Sequence, residues 1–192
     1  MISASPGRDA PPGPKENNVT AFNTLDDLDV AGKRVLVRVD FNVPMEGDRV
    51  TDTTRLDRAV PTVRELVDRQ ARVILLSHFG RPKGERNSDM SLRPVADAFA
   101  GVLGREVDFC EDAVGDHAEA TAAKLAPGHA LLMENTRFYP GEENNDPEFA
   151  KSLAALGELY VNDAFSAAHR AHGSTEGVAQ HLPAAAGRAM QR

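Results

Sequence analysis

Tryptophan is absent from this 192-residue chain, and cysteine occurs once, at Cys110. A lone cysteine excludes an intrachain disulfide and any cysteine-only metal site. No apolar run approaches the length of a membrane-spanning helix. The start, Met1 to Val19, holds four prolines and no apolar core of the kind a secretory signal needs. Lysine is scarce: of 22 basic residues, 17 are arginine and 5 are lysine. Base composition of the gene is the bland cause. Demand for guanidinium forks, which grip phosphate and carboxylate bidentately, is the sharper one. Asp plus Glu total 29, so the net charge is −7, which argues against a general nucleic-acid binder. Phosphate-binding signatures are missing too. Neither G-x-x-x-x-G-K-S/T nor a G-x-G-x-x-G after the first strand occurs, and G-x-S-x-G is absent.

What is present is an alternation. Residues 1–19 read as a disordered tail. Beyond Phe22, short β-branched runs predict strands at Val35–Val39, Val73–Leu76, Ala130–Met133 and Leu159–Val161, with a weaker one at Glu106–Phe109. Between them lie amphipathic stretches. Leu56, Val60, Val63, Leu66 and Val67 share one helical face, which Pro61 should kink or restart. Ser91 predicts the N-cap of a helix that Gly104 stops. Asp146-Pro147 opens a helix running to Gly157, and an alanine-rich stretch from Val114 to Leu125 predicts another. Strands alternating with helices imply a mostly parallel α/β sheet with helices on both faces, a Rossmann-like three-layer fold.

Ligands of such sheets bind beyond the carboxyl ends of the strands. There the sequence places Asp40-Phe41-Asn42, then Ser77-His78-Phe79-Gly80-Arg81, then Glu134-Asn135-Thr136-Arg137, then Asn162-Asp163 followed by His169-Arg170 and His172. Arg55 precedes the first long helix. Four arginines and a histidine at one sheet edge would form a cationic basin on an acidic body, suited to a small anion bearing phosphate and carboxylate. Asp40 and Asn42 either cap their turn or hold ligand hydroxyls. His78 is either a packed residue or an anion ligand, and as an imidazolium it would bind less well as pH rises. Glu134 and Asp163 either orient the arginines or act as acid–base groups. His169 and His172 have the spacing of a metal pair but no evident third ligand.

These motifs resemble the phosphoglycerate kinase family. The matching segments are KRVLVRVDFNVP (33–44), TTRLDRAVPT (53–62), LLSHFGRPKG (75–84), SLRPVA (91–96), LLMENTRFYPGEE (131–143) and YVNDAFSAAHRAHGSTEG (160–177), in order from Asn23 to about Gly187. The resemblance implies reversible phosphoryl transfer between ATP and the carboxylate of 3-phosphoglycerate in cytoplasmic glycolysis. It implies an α/β domain over residues 20–182 that binds 3-phosphoglycerate or 1,3-bisphosphoglycerate, with residues 183–192 starting a helix towards a C-terminal nucleotide-binding domain. Substrate binding maps onto Asp40, Asn42, Arg55, His78, Arg81, Arg137 and Arg170, with Phe41, Phe79 and Gly80 in the same segments. Arg55 would also be catalytic, stabilising the phosphoryl group in flight. Mg2+ with ATP or ADP belongs to the full-length enzyme, and this half would bind none of them and be inactive alone. Ser166 stands where many family members carry glycine. The alternative reading is a stand-alone anion-binding or metabolite-sensing module without catalysis. Neither a nucleic-acid nor a membrane partner is expected.

Overall fold

β1 (Arg34–Arg38) is buried along nearly its whole length, as a central strand covered on both faces must be. The computed structural model describes residues 23–191, so the tail expected over residues 1–19 lies outside the described residues. A small antiparallel hairpin, β2 (Met45–Glu46) and β3 (Arg49–Val50), follows β1. The α-helices and the other strands, in chain order, are α1 (Thr54–Asp68), β4 (Arg72–Leu76), α2 (Arg93–Leu103), β5 (Val107–Cys110), α3 (Asp116–Lys124), β6 (Ala130–Met133), α4 (Pro140–Glu143), α5 (Pro147–Ala154), β7 (Leu159–Asn162) and β8 (Ala184–Ala186).

Six strands form one parallel sheet in the order β5-β6-β4-β1-β7-β8. Two cores flank it. On one face Val35, Val37, Val73, Leu75, Leu132 and Val161 pack beneath α1 and α2, where Leu56, Leu66, Val95 and Phe99 are fully buried. On the other, Leu36, Ile74, Leu131, Met133 and Tyr160 meet Ala118, Ala122, Phe149 and Leu153 of α3 and α5. Alternate residues of each strand serve opposite cores, and the three-layer α/β architecture follows.

The elements differ from the sequence reading in detail. α1 runs unbroken through Pro61. The carbonyl that proline leaves without a partner belongs to exposed Asp57, where water can satisfy it. The N-cap of α2 is Leu92, one residue later than expected, although the Ser91 hydroxyl still accepts from the Arg93 amide at 3.2 Å. Gly104 ends α2 in the left-handed region, as expected. Asp146 caps α5 with Pro147 next, but the helix ends at Ala154. Gly157 instead lets the chain pass β1 closely: a Cβ there would lie 2.7 Å from Leu36 Cγ.

The helix expected to begin within residues 183–192 is not found. Ala184–Ala186 form edge strand β8, with the Tyr160 amide donating to Pro183 O and the Gly187 amide to Asn162 O. A short 3-10 turn follows over Arg188–Met190. Helix propensity of an Ala-Ala-Ala run is a weak preference, worth a few tenths of a kcal/mol per residue, and open hydrogen-bonding positions along β7 outweigh it. Arg188 then locks the segment down, its guanidinium reaching Glu65 at 2.8 Å and Asp26 at 2.6 Å.

Candidate functional site

Because all six strands of the sheet are parallel, their carboxyl ends open onto one edge, and β1 lies between β4 and β7 there. The loops leaving β1, β4, β6 and β7 converge on a cavity of about 240 Å³. Its lining includes Asn42, Arg55, His78, Gly80, Arg81, Arg137 and Arg170, together with Ser166 and Ala167. No carboxylate is among these residues. A second cavity of about 280 Å³ adjoins it and contains Asp40, Arg58, Asp163 and Phe165. Arg55 and Ser166 line both.

The loops are held by side chain to backbone hydrogen bonds. Asn42 Oδ1 accepts from the Gly80 amide at 3.0 Å, and Arg137 Nη1 donates to the Gly80 carbonyl at 2.9 Å. Gly80 itself sits at φ +60°, with Met90 Sδ only 3.0 Å from where a Cβ would stand, so glycine suits it on both counts. Asn135, fully buried, is the central staple. Its Oδ1 accepts from the amides of Phe79 and Arg137, and its Nδ2 donates to the carbonyls of Phe79 and Met90. The residue types of the Glu134-Asn135-Thr136-Arg137 segment do not by themselves mark Asn135 for this role. Its place two residues beyond the all-apolar strand β6 is the only sequence mark of that role, since a buried amide satisfies backbone groups.

Arg137 is 3% exposed and is held by the Gly80 contact, yet its Nε has no hydrogen-bond partner among the described residues. Burial pushes its pKa below the usual guanidinium value, partly offset by Glu143 nearby. A buried donor without an acceptor is costly, and an anion in the cavity would relieve it. Arg81 and Arg170 are exposed at the rim. Asp40 lies in the adjoining cavity. Its carboxylate accepts from Arg55 Nη1, from the Ser166 hydroxyl and from the Asn42 amide. Burial raises the Asp40 pKa, but the bonds from Ser166 and Arg55 outweigh that and hold it below the ordinary value. Phe41 and Phe79 do not line the cavity. Phe41 is fully buried against Phe99, with ring centroids 4.7 Å apart, and Phe79 packs on the same core.

His78 requires a correction. Burial first, then the charges of Arg38 and Arg137, push its pKa down to about 3, so it is neutral at physiological pH. The expected gripping imidazolium gives way to a neutral ring. Glu134 neither orients an arginine nor faces the cavity. It accepts from the Ser91 hydroxyl and the amides of Leu92 and Asn135, anchoring the start of α2 to the end of β6. Asp163 accepts from the Ala189 amide at 2.9 Å. Among the described residues no three His, Cys, Asp or Glu side chains gather as a metal site, and His169 and His172 gain no third ligand. The guanidinium groups of the cavity repel cations and its lining offers no carboxylate, so a bare Mg2+ ion does not fit its donor set.

A family model described as phosphoglycerate kinase matches residues 25–192. This chain belongs to the phosphoglycerate kinase family. It is 66% identical over 172 residues to the phosphoglycerate kinase of Rhizorhabdus wittichii, covering 89% of this chain and 43% of that protein. The Zymomonas mobilis enzyme is 63% identical over 173 residues, covering 90% and 44%. The solved phosphoglycerate kinase of Coxiella burnetii superposes with a TM-score of 0.80 at 38% identity, over 88% of this chain and 42% of that one. The chain therefore spans less than half the length of these relatives. Their likeness does not favour the stand-alone sensing module. No helix among the described residues is long and apolar enough to cross a membrane.

Proposed function

We propose that this chain is the phosphoglycerate-binding part of a cytoplasmic phosphoglycerate kinase, its body extending past residue 182 to include β8, and that it works with a C-terminal nucleotide-binding domain of the same enzyme. The observation that supports this best is the meeting of Asn42, Arg55, His78, Arg81, Arg137 and Arg170 around one carboxylate-free cavity at the strand ends. In this reading Arg81, Arg137 and Arg170 grip the phosphate of 3-phosphoglycerate, and neutral His78 donates one hydrogen bond to it. Asn42 uses its Oδ1 on Gly80 and keeps Nδ2 for the ligand. Asp40 takes a ligand hydroxyl once Arg55 and Ser166 yield their places on its carboxylate. Arg55, on the wall shared with the adjoining cavity, stands nearest the carboxylate end and stabilises charge on the transferring phosphoryl group. Mg2+ and the nucleotide belong to the nucleotide-binding domain, where ATP would supply the phosphoryl group and ADP would accept it in the reverse direction. Titration calorimetry decides: 3-phosphoglycerate should bind this chain and ATP should not, with affinity falling as salt rises. Tight ATP binding without a response to 3-phosphoglycerate would overturn the reading.

A further inference from the structure

Arg38 ends β1 and is the buried one of that strand's two arginines, only 1% exposed. Its Nη2 lies 2.8 Å from His78 Nδ1. A guanidinium has no lone pair to offer, so it must be the donor and Nδ1 the acceptor. The ring proton is thereby assigned to Nε2. A proton on Nδ1 would set N–H against N–H and leave a buried arginine donor unmet.

The arginine cannot easily turn away, because its other nitrogens are taken. Nε donates to Ser174 Oγ at 2.7 Å, and Nη1 donates to the Val39 carbonyl. Ser174 is itself fixed from behind: its hydroxyl and its amide both donate to Glu142 Oε1, at 2.9 and 3.0 Å, and its carbonyl accepts from the Tyr160 hydroxyl at 2.9 Å. Glu142 is fully buried and is joined to Arg38 through the Ser174 hydroxyl. A buried polar chain thus runs from α4 through Ser174 and Arg38 to the ring of His78, whose residue lines the cationic cavity.

We propose that Arg38 is a positioning residue for this site, holding His78 as the neutral tautomer protonated at Nε2, so that His78 serves as a fixed hydrogen-bond donor to a bound phosphate rather than as a titrating cation. The tautomer stands on geometry alone, and its use rests on reading the cavity as the phosphoglycerate site. The groups facing His78 reinforce it. Arg38 from β1, Arg137 after β6 and Arg170 after β7 disfavour a charged ring, against the opposing pull of Asp40 after β1. A neutral ring lets a cavity already crowded with arginines gain a donor without a further repelling charge.

Long-range proton–nitrogen spectra of the protein between pH 8 and 5 test this, with His78 assigned by its absence in His78→Gln. The expected result is one tautomer, Nδ1 unprotonated and Nε2 protonated, without titration in that range. A proton on Nδ1, or a midpoint near the ordinary histidine value of about 6.5, would overturn the proposal. In Arg38→Met both tautomers should appear, while burial, Arg137 and Arg170 still keep the ring from charging. Its affinity for 3-phosphoglycerate should fall roughly tenfold or more at pH 8. A loss with the tautomer unchanged would reduce Arg38 to a packing role. Should Arg38→Met not fold, the wild-type spectra still decide, and Ser174→Ala, which frees one anchor of Arg38, should broaden the His78 signals. A locked tautomer in a protein that ignores 3-phosphoglycerate would sustain the lock and refute the substrate reading.

Discussion

Arg55, in the first turn of α1, donates from Nη1 to Asp40 Oδ2 at 2.5 Å, joining the start of a helix to the loop that leaves the central strand. The pair sits where the two cavities meet, so anything drawing Arg55 toward a ligand must loosen its hold on Asp40. Catalysis by Arg55 would then be accompanied by release of the Asp40 carboxylate. With the chain joined to a nucleotide-binding domain, Arg55→Ala should lower kcat by roughly 10²–10³ and change KM for 3-phosphoglycerate much less. A variant that raised KM and kept kcat would make Arg55 a substrate clamp instead.

Ser166 competes for the same carboxylate. Its hydroxyl donates to Asp40 Oδ2, the oxygen that Arg55 also uses. A ligand hydroxyl drawn to that oxygen would compete with both. Ser166→Gly should therefore tighten 3-phosphoglycerate binding a few-fold, given about 0.5–1.5 kcal/mol for one hydrogen bond. Weaker binding by calorimetry would mean that Ser166 contacts the ligand itself.

Stability should respond to the neutral state of His78. Its pKa is about 3 in the folded chain, below the ordinary 6.5, so between those values the unfolded chain binds more protons. Folding free energy attributable to His78 is complete above about pH 6.5 and declines as pH falls, at up to about 1.4 kcal/mol per unit. Half-buried His172, also lowered mainly by burial, acts in the same direction. Carboxylates such as Glu65, whose pKa is lowered by its bonds with Arg188, lose their contribution only below their ordinary value of 4.5. Urea midpoints should thus already drop between pH 6.5 and 5, and His78→Gln should flatten much of that slope. A midpoint constant over this window would contradict a neutral buried ring.

Asn135→Ala should be among the most damaging single changes near the site. It strands the carbonyls of Phe79 and Met90 and the amides of Phe79 and Arg137. At about 1–3 kcal/mol for each group that water cannot reach, a loss of several kcal/mol is expected in denaturant titrations. A change below about 1 kcal/mol would show that the loops hold without the staple.

Amide hydrogen exchange should find the end of the chain well ordered. Ala186 N–H donates to Asn23 O, and Gly187 N–H to Asn162 O, so both should exchange slowly. Rapid exchange at both would return this segment to the frayed state that a short isolated helix would show.

That last segment marks where the sequence stopped being legible. β1, β4, β6 and β7 were visible because parallel strands covered on both faces read as continuous apolar runs. The loops after them were legible because polar residues abruptly follow. Ala184–Ala186 carries no such mark, and only the open edge of β7 makes it a strand. Hairpin β2–β3 was missed for a similar reason, two residues per strand being too short for any period to show. At the site, the residue types and their convergence could be anticipated, whereas the charge state of His78 could not. That depends on Arg38, which stands forty residues away in sequence and arrives beside the ring only because β1 and β4 pair in register, Arg38 opposite Leu76.

The cations of the cavity are unequally prepared for a ligand. Arg137 is buried and tethered to Gly80, and Arg55 is tethered to Asp40, while the side chains of Arg81 and Arg170 have no hydrogen-bond or ion-pair partner among the described residues. Each free arginine must surrender up to about 2 kcal/mol of rotamer entropy when it closes on an anion. Recognition here should consequently be enthalpy-driven with an entropic penalty concentrated in two residues. Nuclear spin relaxation should find the Arg81 and Arg170 guanidinium groups mobile before binding and rigid after it, with Arg137 rigid throughout.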